Sequence, residues 1–239
     1  LEENNDSALD AARALLNKPI VDGIIAWTLD KSQKLANLMS SRHTPVAFIS
    51  DSKMQVQDNS SCIYLNNQGA ASDIMMHLIS SGYKKIGFLT DHLKSYYSDE
   101  RQEQFDRSLK AAGRDPGPII VMGTEGSQKI IDFTPSQVRT LSQLDAVFCV
   151  TDTVAIRLMK LCLQKGWRVP QDLAITGFDN TRNSDIIGLT SVDSHFERAG
   201  QESVRTLLKF IEGQQTTSAY SEVPAELIIR DSSQKAVRG

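Results

Sequence analysis

The strongest constraint on this chain is a rhythm. Short apolar runs rich in β-branched residues recur along it: "IVDGIIAW" (20–27), "PVAFIS" (45–50), "SCIYL" (61–65), "KKIGFLT" (84–90), "PIIVM" (118–122), "AVFCVT" (146–151) and "LAITGF" (173–178). None of them alternates apolar with polar residues, which is how strands covered on both faces read. Between the runs lie segments with helical spacing of their apolar residues. Ala8, Ala11, Ala12, Leu15 and Leu16 share one face, and so do Ala71, Ile74, Met75, Leu78 and Ile79. Further helices are expected over about 30–41, 100–112, 135–141, 153–165 and 196–212, and Gly82, Gly113, Gly166 and Gly213 stand where C-terminal stops belong. "ELII" (226–229) reads as a last strand. Strands alternating with helices predict an α/β architecture built on parallel sheet.

Composition narrows the function classes. The chain has 239 residues, enough for one large domain or two small ones, and it is 40% hydrophobic and 23% charged. A net charge of −3 leaves no basic face for nucleic acid, and no apolar run is long enough to span a bilayer, so no membrane partner is expected. Cys62, Cys149 and Cys162 form no CxxC and read as small buried hydrophobes in a reducing, cytoplasmic setting. His43, His77, His92 and His195 lack metal-ligand spacing, so no metal is expected. There is no GxSxG, no Walker loop and no GxGxxG after a strand, hence no cofactor and no enzyme assignment. Acid pairs such as Asp99–Glu100, or Asp179 with Asp185, could do acid–base work, but solvated surface is the commoner reading of such pairs.

In parallel sheets, ligands bind beyond the C-terminal ends of the strands. Polar residues collect there: Ser50 and Asp51 after "VAFI", Asp91 after "IGFLT", Thr151 and Asp152 after "AVFCV", and Asp179 after "LAITGF". A carboxylate at such an edge can accept hydrogen bonds from neighbouring hydroxyls of a polyol, and a guanidinium fork is its natural complement. Arg101, in "SDERQEQF", is the candidate, expected in the first turn of its helix. Two structural roles compete with ligand binding: a pair of Arg101 and Asp179 bracing the loops, or a surface ion pair of Arg101 with Asp99 or Glu103.

"SGYKKIGFLTD", "DERQEQFDRSLKAAG", "DAVFCVTDTVAIRLMKLCLQKGWRVPQDLAITGFDN", "TSVDSHFERAGQESVRTLL" and "PAELIIRDSS" occur in the order and spacing of the lactose/galactose repressor family, and the chain resembles that family over nearly its whole length. The run "LQKGWRVPQDLAITGFDN" is the most specific to it. The resemblance implies a periplasmic-binding-protein-like fold. Two Rossmann-like subdomains with parallel sheets would be joined by three crossovers, near Tyr64–Asn66, Asp193–Ser194 and Val223–Pro224. Residues 1–64 with 194–222 would form one subdomain, and 65–193 with 223–239 the other. It also implies that the domain's first strand and helix, and a helix-turn-helix domain, lie outside this chain.

Carried over residue by residue, Asp179 and Arg101 match the family's sugar-hydroxyl ligands. Thr151 stands in place of a common asparagine, and Asp152 matches the usual acid beside it. Ser50 stands where many members have aspartate. Tyr64 would wall the site at the hinge, and Asn66 replaces a common aspartate. The implied function is effector sensing by a transcriptional regulator, a repressor. Its effector would be a sugar, a sugar phosphate or a purine bound between the subdomains, and the chain would act as a homodimer that meets operator DNA only through the absent domain. The rival reading is the solute-binding protein of a sugar transporter.

Overall fold

The computed structural model describes residues 21–28, 38, 44–51, 53–91, 96–122 and 133–235. The helices expected over 8–16 and, apart from Leu38, over 30–41 lie outside them. The chain divides into two compact units. One runs to Asn66 and adds His195–Pro224, and the other comprises Asn67–Ser194 with the segment from Ala225 onward.

In the first unit, β1 (Ile24–Thr28), β2 (Val46–Ser50) and β3 (Ser60–Asn66) are parallel neighbours. The fourth strand of this sheet was not expected from sequence. It is β9 (Ala219–Pro224), parallel to β3, with Asn66 opposite Pro224. "AYSEVP" holds no apolar run because one of its faces is open. The last helix, Phe196–Ile211, buries Ala199, Ser203, Leu207 and Phe210 and packs on β2 and β3. Val204, Leu208 and Ile211 on the same helix are exposed. Gly23 allows the close approach, because a Cβ there would meet Leu207 Cδ1 at 2.9 Å.

In the second unit, β4 (Ile86–Thr90), β5 (Ile119–Val121), β6 (Ala146–Cys149) and β7 (Ala174–Thr176) form one parallel sheet in the order β5-β4-β6-β7. Among the described residues, five helices belong to this unit: α1 (Asn67–Ser80), α2 (Tyr96–Ala111), α3 (Pro135–Leu141), α4 (Asp152–Lys165) and a short α5 (Arg182–Ile186). The Phe196–Ile211 helix is α6. Local chemistry explains their ends. Thr134 and Gln137 form a capping box ahead of α3, with Pro135 at its first turn. Gly166, at φ 70°, closes α4 while Trp167 N donates to Cys162 O. Phe88, Phe105 and Phe148 centre the core, with Phe88 edge-on to Phe148 at 5.3 Å. Each such ring contributes roughly 1.5–3 kcal/mol by leaving water.

The parallel expectation fails at one place. "ELII" does become a strand, β10 (Glu226–Ile228), but it pairs antiparallel with β8 (Ser191–Asp193) outside the main sheet. The segment after it is sewn onto β7. Ile175 N donates to Ser232 O, Ser232 Oγ donates to Ile175 O, and Thr190 N donates to Ser232 Oγ. Among the described residues no helix is long and apolar enough to cross a membrane.

Candidate functional site

The C-terminal ends of β4, β6 and β7 place four of the six candidate residues in the second unit. Arg101 lies five residues into α2 rather than in its first turn, since the helix begins at Tyr96 and its first turn carries Asp99. Thr90, ending β4, ties down the start of the helix through the contact between its Oγ1 and Ser98 Oγ at 2.9 Å. This directs Arg101 inward, and the residue is only 5% exposed. Its Nη1 donates to Val150 O just past β6, its Cζ sits 3.5 Å from the centre of the Phe178 ring, and its Nη2 lies 3.6 Å from Asp179 Oδ1. The guanidinium is thus held by a carbonyl, an aromatic face and a carboxylate at once. The surface pairing with Asp99 or Glu103 does not occur with Glu103, which pairs with Arg107 instead.

Asp179 keeps 27% of its side chain exposed, so its carboxylate retains acceptor capacity toward solvent or ligand beside Arg101. Its backbone is unusual. Asp179 adopts φ 102° and Asn180 φ 45°. Such a conformation at a non-glycine residue stores roughly 1–3 kcal/mol and persists only where surrounding contacts enforce it. Asp179 N donates to Val192 O at 2.9 Å. Asn180 N donates to Ser191 Oγ at 3.1 Å, its Nδ2 donates to Asp193 Oδ2 at 3.1 Å, and its Oδ1 accepts from Arg230 Nη2 at 2.9 Å.

Asp152 is placed differently from the expectation. It is fully buried, with its carboxylate turned into the protein. Oδ1 accepts from Ser191 Oγ at 2.6 Å, and Oδ2 accepts from Thr181 N at 2.7 Å and from Ser184 Oγ. Its backbone N donates to Phe178 O. Expected as a ligand contact, Asp152 gives both carboxylate oxygens to donors of the protein itself. With no surface to offer, the carboxylate binds α4, α5 and β8 to the loop after β7. Gly177 is required beside it, because a Cβ there would fall 2.2 Å from Asp152 Oδ1. Thr151 caps α4, its Oγ1 accepting from Val154 N at 3.4 Å, which leaves its hydroxyl hydrogen able to donate. Asp91 follows Thr90 at the same sheet edge.

Ser50 and Tyr64 belong to the first unit. They end β2 and lie within β3 as register partners, both buried. Tyr64 stacks with Tyr220 at 6.5 Å, and Lys53 Nζ lies 5.3 Å from the Tyr64 ring centre and 3.7 Å from Glu222 Oε2. Asn66 donates to Glu222 Oε1 at 2.8 Å. Burial, helped by Cys62, Glu222 and Tyr64, pushes the Tyr220 phenol up to about 12.

The sequence reading missed Asn180, Ser184, Ser191 and Arg230. Their contacts run between residues far apart in the chain, so no local spacing announces them. The acid in "VPQDLA" is also structural. Asp172 accepts from Arg168 N, Nε and Nη2 and closes the turn before β7, and that guanidinium pulls its carboxyl down to about 2. Among the described residues, no group of three or more His, Cys, Asp and Glu side chains could hold a metal ion.

Comparison with known proteins bears on what this edge serves. The periplasmic-binding-protein-like domain family matches residues 75–233. A protein of Vibrio vulnificus (strain CMCP6) named HTH-type transcriptional repressor PurR is 26% identical over 231 residues, 95% of this chain and 68% of its own length. A repressor of the same name from Haemophilus influenzae (strain PittEE) is 30% identical over 227 residues, 91% of this chain and 66% of its own. The chain therefore spans about two thirds of these relatives. The crystal structure of the transcription regulator GntR from Chromobacterium violaceum superposes with a TM-score of 0.81 at 25% identity, covering 96% of this chain and 84% of that one. These relatives are regulators and not enzymes. The chain belongs to the periplasmic-binding-protein-like domain family, in the form that lactose/galactose-repressor-type transcriptional regulators carry as their effector-binding domain.

Proposed function

We propose that the strand-end edge of the second unit binds the effector through Asp179 and Arg101, with Thr151 donating beside them. The observation that carries this reading is the buried Arg101 guanidinium held 3.6 Å from a part-exposed Asp179 carboxylate. Together they offer one acceptor and one fork of donors to vicinal hydroxyls. Because Asp179 already balances the charge of Arg101, a neutral sugar suits this pair better than a sugar phosphate. A purine is the third ligand class. Effector binding shifts the population of a state that favours or disfavours DNA contact by a helix-turn-helix domain outside this chain.

The protein works in the cytoplasm as a homodimer. In such a dimer, Leu163 and Ile186, 82% and 80% exposed on the second unit, are side chains whose burial would contribute.

The test is thermal unfolding in the presence of free pentoses and hexoses, their phosphates, and purine bases. A ligand present at about a hundredfold over its dissociation constant stabilises by about 2.7 kcal/mol. A sugar should raise the midpoint of the parent protein, and Asp179→Ala should abolish that rise while the variant still unfolds cooperatively. A rise that survives Asp179→Ala overturns the assignment.

A further inference from the structure

We propose that Asn180 is a positioning residue for the effector site, acting through Asp179. This rests on the reading that Asp179 holds the effector. Three observations lead there.

First, every polar group of Asn180 but its carbonyl is engaged with a different part of the second unit. Its amide N meets Ser191 on β8, its Nδ2 meets Asp193 at the end of β8, and its Oδ1 meets Arg230 in the C-terminal segment. Second, both of those side-chain partners stand on the same framework. Arg230 Nη1 donates to Leu189 O at 2.7 Å, Arg230 Nε lies 3.4 Å from Asp185 Oδ1, and Arg230 N donates to Thr190 Oγ1 at 2.8 Å. Third, the preceding residue has φ 102° and Asn180 itself φ 45°. Asparagine tolerates the left-handed region better than other non-glycine residues.

The chemistry of the bridge demands an amide. Its NH2 donates to a carboxylate while its oxygen accepts from a guanidinium, so the group has one orientation only. A carboxylate at 180 would satisfy Arg230 but would face Asp193 at hydrogen-bond distance, two like charges with no proton between them. The bridge fixes the peptide between 179 and 180, and with it the direction of the Asp179 carboxylate toward Arg101. Asn180 has no contact with Arg101 of its own among the described interactions, so any effect of Asn180 on Arg101 must pass through Asp179.

The experiment reads that effect without a ligand, so its failure is distinct from failure of the effector assignment, which the thermal screen reports. Backbone amide exchange at Asp179 and side-chain NMR signals of the Arg101 guanidinium are followed in the parent chain, in Asn180→Asp, in Asn180→Gly, and in Asn180→Asp combined with Asp193→Asn. Thermal unfolding of each variant serves as the control for global stability. Asn180→Asp should speed exchange of the Asp179 amide by about tenfold or more and broaden the Arg101 signals. Asn180→Gly removes the bridge without straining the backbone and should do the same, which keeps the test valid if the charged variant folds poorly. In the double variant the new amide at 193 donates to the new carboxylate at 180, Arg230 keeps its acceptor, and protection and the Arg101 signals should return. Unchanged exchange and unchanged Arg101 signals in Asn180→Gly, or no recovery in the double variant, would overturn the proposal.

Discussion

Replacing Arg101 with lysine tests the centre of the site. The guanidinium serves three groups at once: Val150 O through Nη1, Asp179 through Nη2 at 3.6 Å, and the Phe178 ring at 3.5 Å. A lysine ammonium is a point charge on a flexible stem and can reach one of these partners well. At 5% exposure, the group left behind gains no compensating water. Losing one charged hydrogen bond to a buried carbonyl costs about 1.5–3 kcal/mol. Weakening the contact with the ring adds about 0.5–1 kcal/mol. Arg101→Lys should therefore destabilise by about 2–4 kcal/mol. For a chain of this size, about 2–4 °C per kcal/mol applies, so the thermal midpoint should fall by about 4–16 °C. Circular dichroism melts measure this directly, and the sugar-induced rise should be lost in the same variant. A surface arginine would tolerate the exchange. A midpoint within about 1 °C of the parent would refute the buried, three-partner role.

Three further outcomes are expected. Gly177→Ala should destabilise by about 1–3 kcal/mol or more in urea unfolding, because its Cβ would collide with Asp152 Oδ1 at 2.2 Å; wild-type stability would show that the Asp152 cluster can move aside. His77, whose Nε2 lies 2.7 Å from Ser233 Oγ, has its pKa lowered by burial, with the backbone of Ser233 opposing in part. Its folded value lies below the unfolded one of about 6.5, so its contribution is complete above that pH and is lost as pH falls through the folded value. His77→Gln should flatten part of the decline in melting temperature between pH 7.5 and 5, and an unaltered pH profile would contradict this. Ile186→Glu should shift a homodimer toward monomer in sedimentation at micromolar concentration, and an unchanged sedimentation coefficient would place the interface elsewhere.

Much of the second unit is legible in the sequence because its elements obey local rules. β4, β6 and β7 read correctly, since a strand buried on both faces must be apolar throughout and a parallel partner needs a helix between. The glycine stops at Gly82, Gly113 and Gly166 read correctly too, since each takes a positive φ that only the backbone itself decides. β9 and α5 were not legible, because "AYSEVP" and "RNSDI" carry no apolar periodicity and are ordered by partners remote in the chain. Of the antiparallel β8–β10 pair only β10 was expected, and nothing local to either segment says that the two pair or in which sense.

The site divides along the same line. Where polar candidates collect was readable from the sequence, because residues just after buried strands emerge at one edge of a parallel sheet, which marks Thr151 and Asp179; Arg101, deeper in its helix than expected, reaches Asp179 only through the fold. The roles of those residues required the folded chain. Asp152 and Asp179 are both acids a step beyond a strand, and nothing local separates them. The fold surrounds Asp152 with Ser191, Thr181 and Ser184 and leaves Asp179 part-exposed beside Arg101. Which carboxylate is consumed inside and which is offered outside depends on donors 29 to 39 residues away in the chain, and distances of that kind are set by tertiary packing alone.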